Sequence, residues 1–222
     1  MHRSILDNFV EFRAYLDQVD FSALPGLEAQ LRMAPRMRHR DISSKGEGRD
    51  PVLSSVLCLL YPLENGKPGM VLIQRPEYEG AHSGQISFPG GRYEVGDPDM
   101  MHTALRETRE EIGIDPSAIS IIGKLTDLFI PPSNFIVFPY VGIAEKRPLF
   151  SPDPEEVAAI IEVEVASFFL DENCLDKTLT LRDGYRIHTP CYVINGHIIW
   201  GATAMMIAEF LDLVKVNKKS PV

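Results

Sequence analysis

The order of periodic segments predicts an α/β fold, a mixed sheet with helices on both sides. Short apolar runs at 54–61 and 69–74 flank the turn signal Asn65-Gly66. A helix-period segment at about 100–112 interrupts the strand series, which resumes at 119–128, 135–144 and 157–164. A second long helix-period segment, 202–216, closes the series.

Each element has a local reason. Residues 4–20 read as one helix with Ile5, Phe9, Phe12 and Leu16 along a face. A short helix is expected over Gly26–Met33, and the breaker-rich stretch 34–50 reads as a loop. After the first two strands comes a glycine-containing loop, 76–84, and a short strand at 85–88. Pro131-Pro132-Ser133-Asn134 turns the chain between 119–128 and 135–144. Asp183-Gly184 and Asn195-Gly196 mark two hairpins within 177–200, because such pairs accept tight-turn dihedrals. The closing segment ATAMMIAEFLDLVKV reads as an amphipathic helix.

Composition narrows the function. The chain has 222 residues and a formal charge of −9, which argues against a general nucleic-acid binder. It leaves room for a small anionic substrate, because the local field matters more than the total. Cys58, Cys174 and Cys191 are odd in number and far apart, with no zinc or disulfide spacing. A reducing cytoplasm is the expected location. MHRSILDNFVEF lacks a signal-peptide apolar region, no run approaches ~18 apolar residues, and the final Ser220-Pro221-Val222 is not a peroxisomal address. No membrane association is expected.

The segment Gly91–Ile114 carries the chemistry. Glu107, Glu110 and Glu111 stand at i, i+3 and i+4 of the expected helix, so they share a side of it. At 100° per residue, Met101, Leu105, Thr108 and Ile112 form a narrow, mostly apolar stripe, with the three glutamates opposite. Like charges so spaced repel, and a hard divalent cation, Mg²⁺ or Mn²⁺, would relieve that repulsion. A solvated acidic face explains the charges alone. It does not explain Phe88-Pro89-Gly90-Gly91 just upstream, or Gly113 at the helix end.

The whole pattern resembles the Nudix box: Gly, five residues, Glu, seven residues, Arg-Glu, an apolar residue, any residue, Glu-Glu, any residue, Gly and an apolar residue. Gly91, Arg106, Glu107, Glu110, Glu111, Gly113 and Ile114 match. Asp97 replaces the first Glu, eight residues rather than seven follow it, and Thr108 replaces the aliphatic residue. The resemblance implies an α/β/α sandwich over 46–217, with residues 1–45 as an N-terminal helical extension. It implies metal-dependent hydrolysis of a diphosphate joined to another group. In that scheme Glu107, Glu110, Glu111 and the Gly90 carbonyl hold the metal. Arg106 pairs with Asp97 to brace loop against helix. The base that activates water is a box glutamate such as Glu110 or an acid of a later loop. Glu156, in Pro152-Asp153-Pro154-Glu155-Glu156-Val157, is the favoured one, beside the plainer reading of an exposed loop acid.

Upstream, Leu72-Ile73-Gln74-Arg75 and His82-Ser83-Gly84-Gln85-Ile86-Ser87-Phe88-Pro89-Gly90-Gly91 resemble the extra motif of the coenzyme A pyrophosphatase subfamily. Further similar stretches are Pro132-Ser133, Val137 to Gly142, Glu156-Val157 and Ile199-Trp200-Gly201-x-Thr203-Ala204. The resemblance implies cleavage of coenzyme A or acyl-coenzyme A to 3′,5′-ADP and (acyl-)4′-phosphopantetheine, with Arg75, His82, Gly90 and Gly91 binding substrate. Pro76 stands where the motif has Ser, and Gly80 where it has a second Arg, so one bidentate phosphate fork is missing. Arg36, Arg38, His39 and Arg40 could reach a 3′-phosphate or form a solvated basic loop. The alternatives are a hydrolase of ADP-ribose, NADH or another nucleoside diphosphate derivative, and a non-catalytic nucleotide-binding module. The expected partner is a small nucleoside diphosphate substrate, with no nucleic acid. A homodimer is the assembly to test, since nothing in the sequence sets the oligomeric state.

Overall fold

The computed structural model describes residues 3–35, 50–77, 84–181 and 184–216. Eleven strands and four α-helices are found there, and the α-helices are named in chain order: α1 (Phe9–Leu16), α2 (Gly26–Leu31), α3 (Met100–Ile112) and α4 (Gly201–Val216).

The main sheet is mixed, as expected. Its spine is β1 (Val52–Pro62), parallel to β7 (Phe135–Ile143) over nine residue pairs. All other pairings are antiparallel. On one side of the spine, β2 (Pro68–Gln74) joins β1, β3 (Ile86–Ser87) and β8 (Ala159–Glu164). On the other, β7 takes β5 (Ser120–Lys124) and β6 (Leu128–Ile130). The short β4 (Gly90–Arg92) also pairs with β1.

Strand alternation sorts the core into two layers. Leu57, Leu59 and Tyr61 of β1, with Val71 and Ile73 of β2, meet Ala104 and Ile112 of α3 on one face. Cys58, Leu60, Met70 and Leu72 point the other way and join Phe12, Leu16, Phe210 and Leu213 of α1 and α4. Helices therefore cover both faces, and β1 and β2 read as continuous buried runs. The fold is the α/β/α sandwich the resemblance implied.

Several elements differ from the sequence reading. The helix expected over 4–20 is broken at Asn8, whose extended backbone and side chain cap α1 by accepting from the Val10 and Glu11 amides. A 3-10 turn, Arg3–Asp7, precedes it. The strand expected over 119–128 splits into β5 and β6. Between them the Thr126 amide leaves the ladder and donates to Glu209 at 3.1 Å. That carboxylate is fully buried in α4 and also accepts from the Gly26 amide, Gln30 Nε2 and Thr126 Oγ1. It thus ties α2, α4 and the β5–β6 connection together.

The closing helix is not amphipathic: every residue from Thr203 to Leu211 is buried. A second, antiparallel sheet explains this. It comprises β9 (Cys174–Thr180), β10 (Arg186–Ile194) and β11 (His197–Trp200), and α4 packs against β10, β11 and α2. Asn195 and Gly196, with φ of 52° and 82°, make the two-residue turn between β10 and β11. The other hairpin signal is half visible, since Asp183 lies outside the described residues. Among the described residues, no helix is long and apolar enough to cross a membrane.

Candidate active site

α3 starts where Asp99 accepts from the His102 amide and stops at Gly113, whose φ of 76° suits a left-handed cap. Its buried side carries Thr103, Ala104, Thr108, Glu111 and Ile112. Glu111 therefore belongs to the buried flank and is 1% exposed. This corrects the helical face drawn from hydropathy, which set all three glutamates opposite the apolar stripe. Thr108 is tolerated inside because its hydroxyl donates to the Ala104 carbonyl one turn back, at 2.7 Å.

What keeps a carboxylate buried is the Phe88–Gly91 segment. Gly90 and Gly91 pair with Val56 and Ser55 of β1. The Gly90 amide donates to Glu111 Oε2 at 2.7 Å. Gly90 has φ of 148°, and a Cβ there would lie 2.6 Å from Val56 Cα. A Cβ on Gly91 would overlap the Glu107 carboxylate. Both glycines let the backbone press against the acidic helix.

A later loop completes the cluster. The Ser151 amide donates to the Ile112 carbonyl and the Asp153 amide to the Glu111 carbonyl, each at 3.0 Å. Asp153 then accepts from the Glu155, Glu156 and Val157 amides, a tight turn anchored by buried Val157. This brings Glu156 to α3: carboxylate oxygens of Glu107, Glu111 and Glu156 lie within 4.8 Å of one another.

Glu110 is not in that trio. Its carboxylate is about half exposed and accepts from Arg106 Nη1 at 2.7 Å. One residue advances a helix by about 100°, so Glu110 and Glu111 leave α3 in different directions. Arg106 is a hub: besides Glu110 it reaches Glu107 at 3.0 Å, the Arg92 carbonyl, and Asp97 through two hydrogen bonds. It fastens the Arg92–Asp97 loop to α3. Arg109 is exposed.

Electrostatics follow the burial. Desolvation pushes Glu111 up to about 8, against the pull of Arg75 and the Gly90 amide, and nearby Glu107 and Glu156 add to the rise. Burial also raises Glu107, opposed by Arg106. Asp97 goes the other way: hydrogen bonds from Arg106 hold it down at about 2.

Three converging carboxylates, one sealed from solvent, form an all-oxygen donor set that fits a hard divalent cation, and no His or Cys belongs to the trio. Arg75, Gly90 and Gly91 also line a cavity of about 1440 Å³. Phe129, Phe135, Trp200, Pro132, Ser133 and Thr203 line the same cavity. Sequence reasoning had not placed Phe129 and Phe135 in a site. Phe135 was visible only as part of a strand and Phe129 fell one residue past the strand expected over 119–128, and their inward face depends on the sheet they join. His82 and Gly80 lie outside the described residues, as do Arg36, Arg38, His39 and Arg40.

A layered α/β sandwich with an acidic helix under a glycine strand defines the Nudix class of proteins. A family model described as NUDIX domain matches residues 53–182, and the chain belongs to that family. It is similar to Nudix hydrolase 22, chloroplastic, of Arabidopsis thaliana: 33% identical over 169 residues, covering 74% of this chain and 56% of that protein. It is also similar to an uncharacterized Nudix hydrolase NudL of Yersinia pestis (strain Pestoides F): 30% identical over 184 residues, covering 81% of this chain and 86% of that one. The chain spans about half the length of the plant relatives it matches. Among solved structures, the MutT protein from Methanosarcina mazei Go1 aligns with a TM-score of 0.48 and 16% identity, over 74% of this chain and 95% of that chain.

Proposed function

We propose that this chain hydrolyses the diphosphate bond of coenzyme A or acyl-coenzyme A, giving 3′,5′-ADP and (acyl-)4′-phosphopantetheine. The observation that carries the hydrolase reading is the convergence of Glu107, Glu111 and Glu156 beside Gly90-Gly91. A divalent cation held there, Mg²⁺ or Mn²⁺, would offset diphosphate charge and acidify water. Glu107 and Glu111 are assigned to hold it. Glu156, the exposed member of the trio, is the group able to take a proton from water. Glu110 buttresses Arg106 instead of completing the donor set.

The coenzyme A reading is supported by where the subfamily-like residues fall. Arg75, Gly90, Pro132, Ser133, Trp200 and Thr203 come from distant segments and line one cavity. Its volume exceeds the usual ~300–1,000 Å³ of a small-ligand site, which suits a long substrate. The hydrolase domain is assigned to 46–217 and the helical extension to 1–45, in a reducing cytoplasm.

A second reading, hydrolysis of ADP-ribose, NADH or another nucleoside diphosphate derivative, is favoured by Gly80 standing in place of the second Arg. Incubation with Mg²⁺ and, separately, coenzyme A, acetyl-coenzyme A, ADP-ribose and NADH, with products resolved by chromatography, tests both. Cleavage of coenzyme A into the two named halves is the expected result. Cleavage of ADP-ribose alone would remove the coenzyme A assignment, and turnover of none would favour a nucleotide-binding module.

A further inference from the structure

The Arg75 guanidinium sits among the groups a cation would want. Its Nη2 donates to the Gly90 carbonyl at 3.0 Å and stands 3.7 Å from Glu111 Oε1. Glu111 keeps only 1% of its side chain exposed, and its other oxygen is taken by the Gly90 amide. Arg75 is thus the positive partner of a sealed carboxylate, and a buried carboxylate without one is costly. Its backbone is fixed at the end of β2, where its amide donates to the Gln85 carbonyl at 3.0 Å. The side chain remains 29% exposed and lines the large cavity. One end of the residue is anchored, and the charged end has room to move.

We propose that Arg75 is a resident counter-cation whose seat, on the Gly90 carbonyl and the Glu111 carboxylate, overlaps the seat of the divalent ion. The two positive charges compete for the same oxygens. An ion that takes Glu111 makes the guanidinium's position repulsive, and Arg75 turns toward the cavity. There its planar fork suits a diphosphate oxygen pair. Loading the ion and presenting an arginine to the substrate become one event. Substrate anions in turn favour the Arg75-out state, because coupling between two ligands is reciprocal.

The inference rests on the metal reading above, and its test separates the two. Mn²⁺ affinity is measured by electron paramagnetic resonance on the intact chain, wild type and Arg75→Met, with thermal melts to establish folding. Both are held at a matched pH above the value of about 8 to which burial lifts Glu111, so that proton competition does not mask the effect. Competition taxes wild-type affinity by the fraction of molecules with Arg75 seated. Arg75→Met is therefore expected to bind Mn²⁺ at least ~5-fold more tightly. Arg75→Lys, which keeps the charge, is expected to stay closer to wild type. Unchanged or weaker binding by a folded Arg75→Met would overturn the proposal, since a merely structural arginine loosens the site when removed. No Mn²⁺ binding by the wild type would instead sink the metal reading itself.

The guanidinium supplies an independent readout. Its ¹⁵N resonances, assigned by their loss in Arg75→Met, should move on Mg²⁺ addition with no substrate present. Signals that stay fixed while Mg²⁺ binds would show that the ion and Arg75 occupy separate seats.

Discussion

Arg106 grips Asp97 in a two-pronged pairing, Nε to Oδ1 at 2.9 Å and Nη2 to Oδ2 at 3.1 Å, across the junction between the glycine strand and α3. The Asp97 side chain is only 6% exposed, and Thr103 Oγ1 and the Glu94 amide supply its remaining hydrogen bonds. This is a built joint, unlike a surface ion pair worth ~0–1 kcal/mol. Asp97→Asn should cost about 1–3 kcal/mol, read as a lowered urea midpoint with unchanged slope.

The same joint sets an acid limit. Asp97 is held down to about 2 from an ordinary 3.8. A depressed carboxylate stabilises the fold above its unfolded value, and that contribution disappears as pH falls from 3.8 through about 2. Melts of wild type and Asp97→Asn should converge below pH 2. A gap of undiminished size there would mean that the loss has no charge component.

Glu111 gives the opposite slope. Burial lifts it from 4.5 to about 8, so its protonated form is favoured by the fold. Its contribution to stability is fully present below pH 4.5 and is lost as pH rises through about 8. The metal-free protein should therefore lose melting temperature across this window, and Glu111→Gln should flatten the loss. Mg²⁺ should raise the melting temperature more at the upper end, where binding displaces less proton.

The split between Glu110 and its neighbours predicts unequal mutants. Glu107→Gln, Glu111→Gln and Glu156→Gln should each lower diphosphate turnover by ~10²–10⁴-fold. Glu110→Gln, removing only a buttress of Arg106, should cost ~10-fold. Steady-state rates at saturating Mg²⁺ check this, and equal losses at Glu110 and Glu156 would contradict the assignment.

The glycine pair should separate stability from metal binding. Gly90→Ala would crowd the β1 backbone in a conformation L-residues avoid, costing roughly 2 kcal/mol or more. A Cβ at Gly91 has the Glu107 carboxylate end as its nearest neighbour, which can turn aside. Gly91→Ala should melt near wild type and bind Mn²⁺ ~10-fold more weakly, as read by resonance titration.

Legibility in the sequence tracked how local each cause was. The span of α3, Met100–Ile112, was readable because Asp99 and Gly113 end it through their own neighbours. The pair of strands around Asn65-Gly66 and the turn at Asn195-Gly196 were readable for the same reason. Asn8 was locally capable of capping yet lay inside a convincing apolar period, and the cap prevailed. The burial of Glu111 depends on Gly90 and Arg75, whose approach is a property of the folded sheet. The burial of α4 depends on α2 and a second sheet packing on it and on partners such as Gln30 and Thr126 for Glu209, which no helical period can report. Glu156 was nameable as a loop acid, but its arrival beside Glu107 required the Asp153 turn to dock on the end of α3.

Glu209 has a practical bearing on how the protein can be cut. Two of its donors, the Gly26 amide and Gln30 Nε2, belong to the first 35 residues. A shortened version beginning at β1 would strand a buried carboxyl group with half its partners gone. Engineers seeking a minimal catalytic fragment should keep α2, or replace Glu209 in the same step.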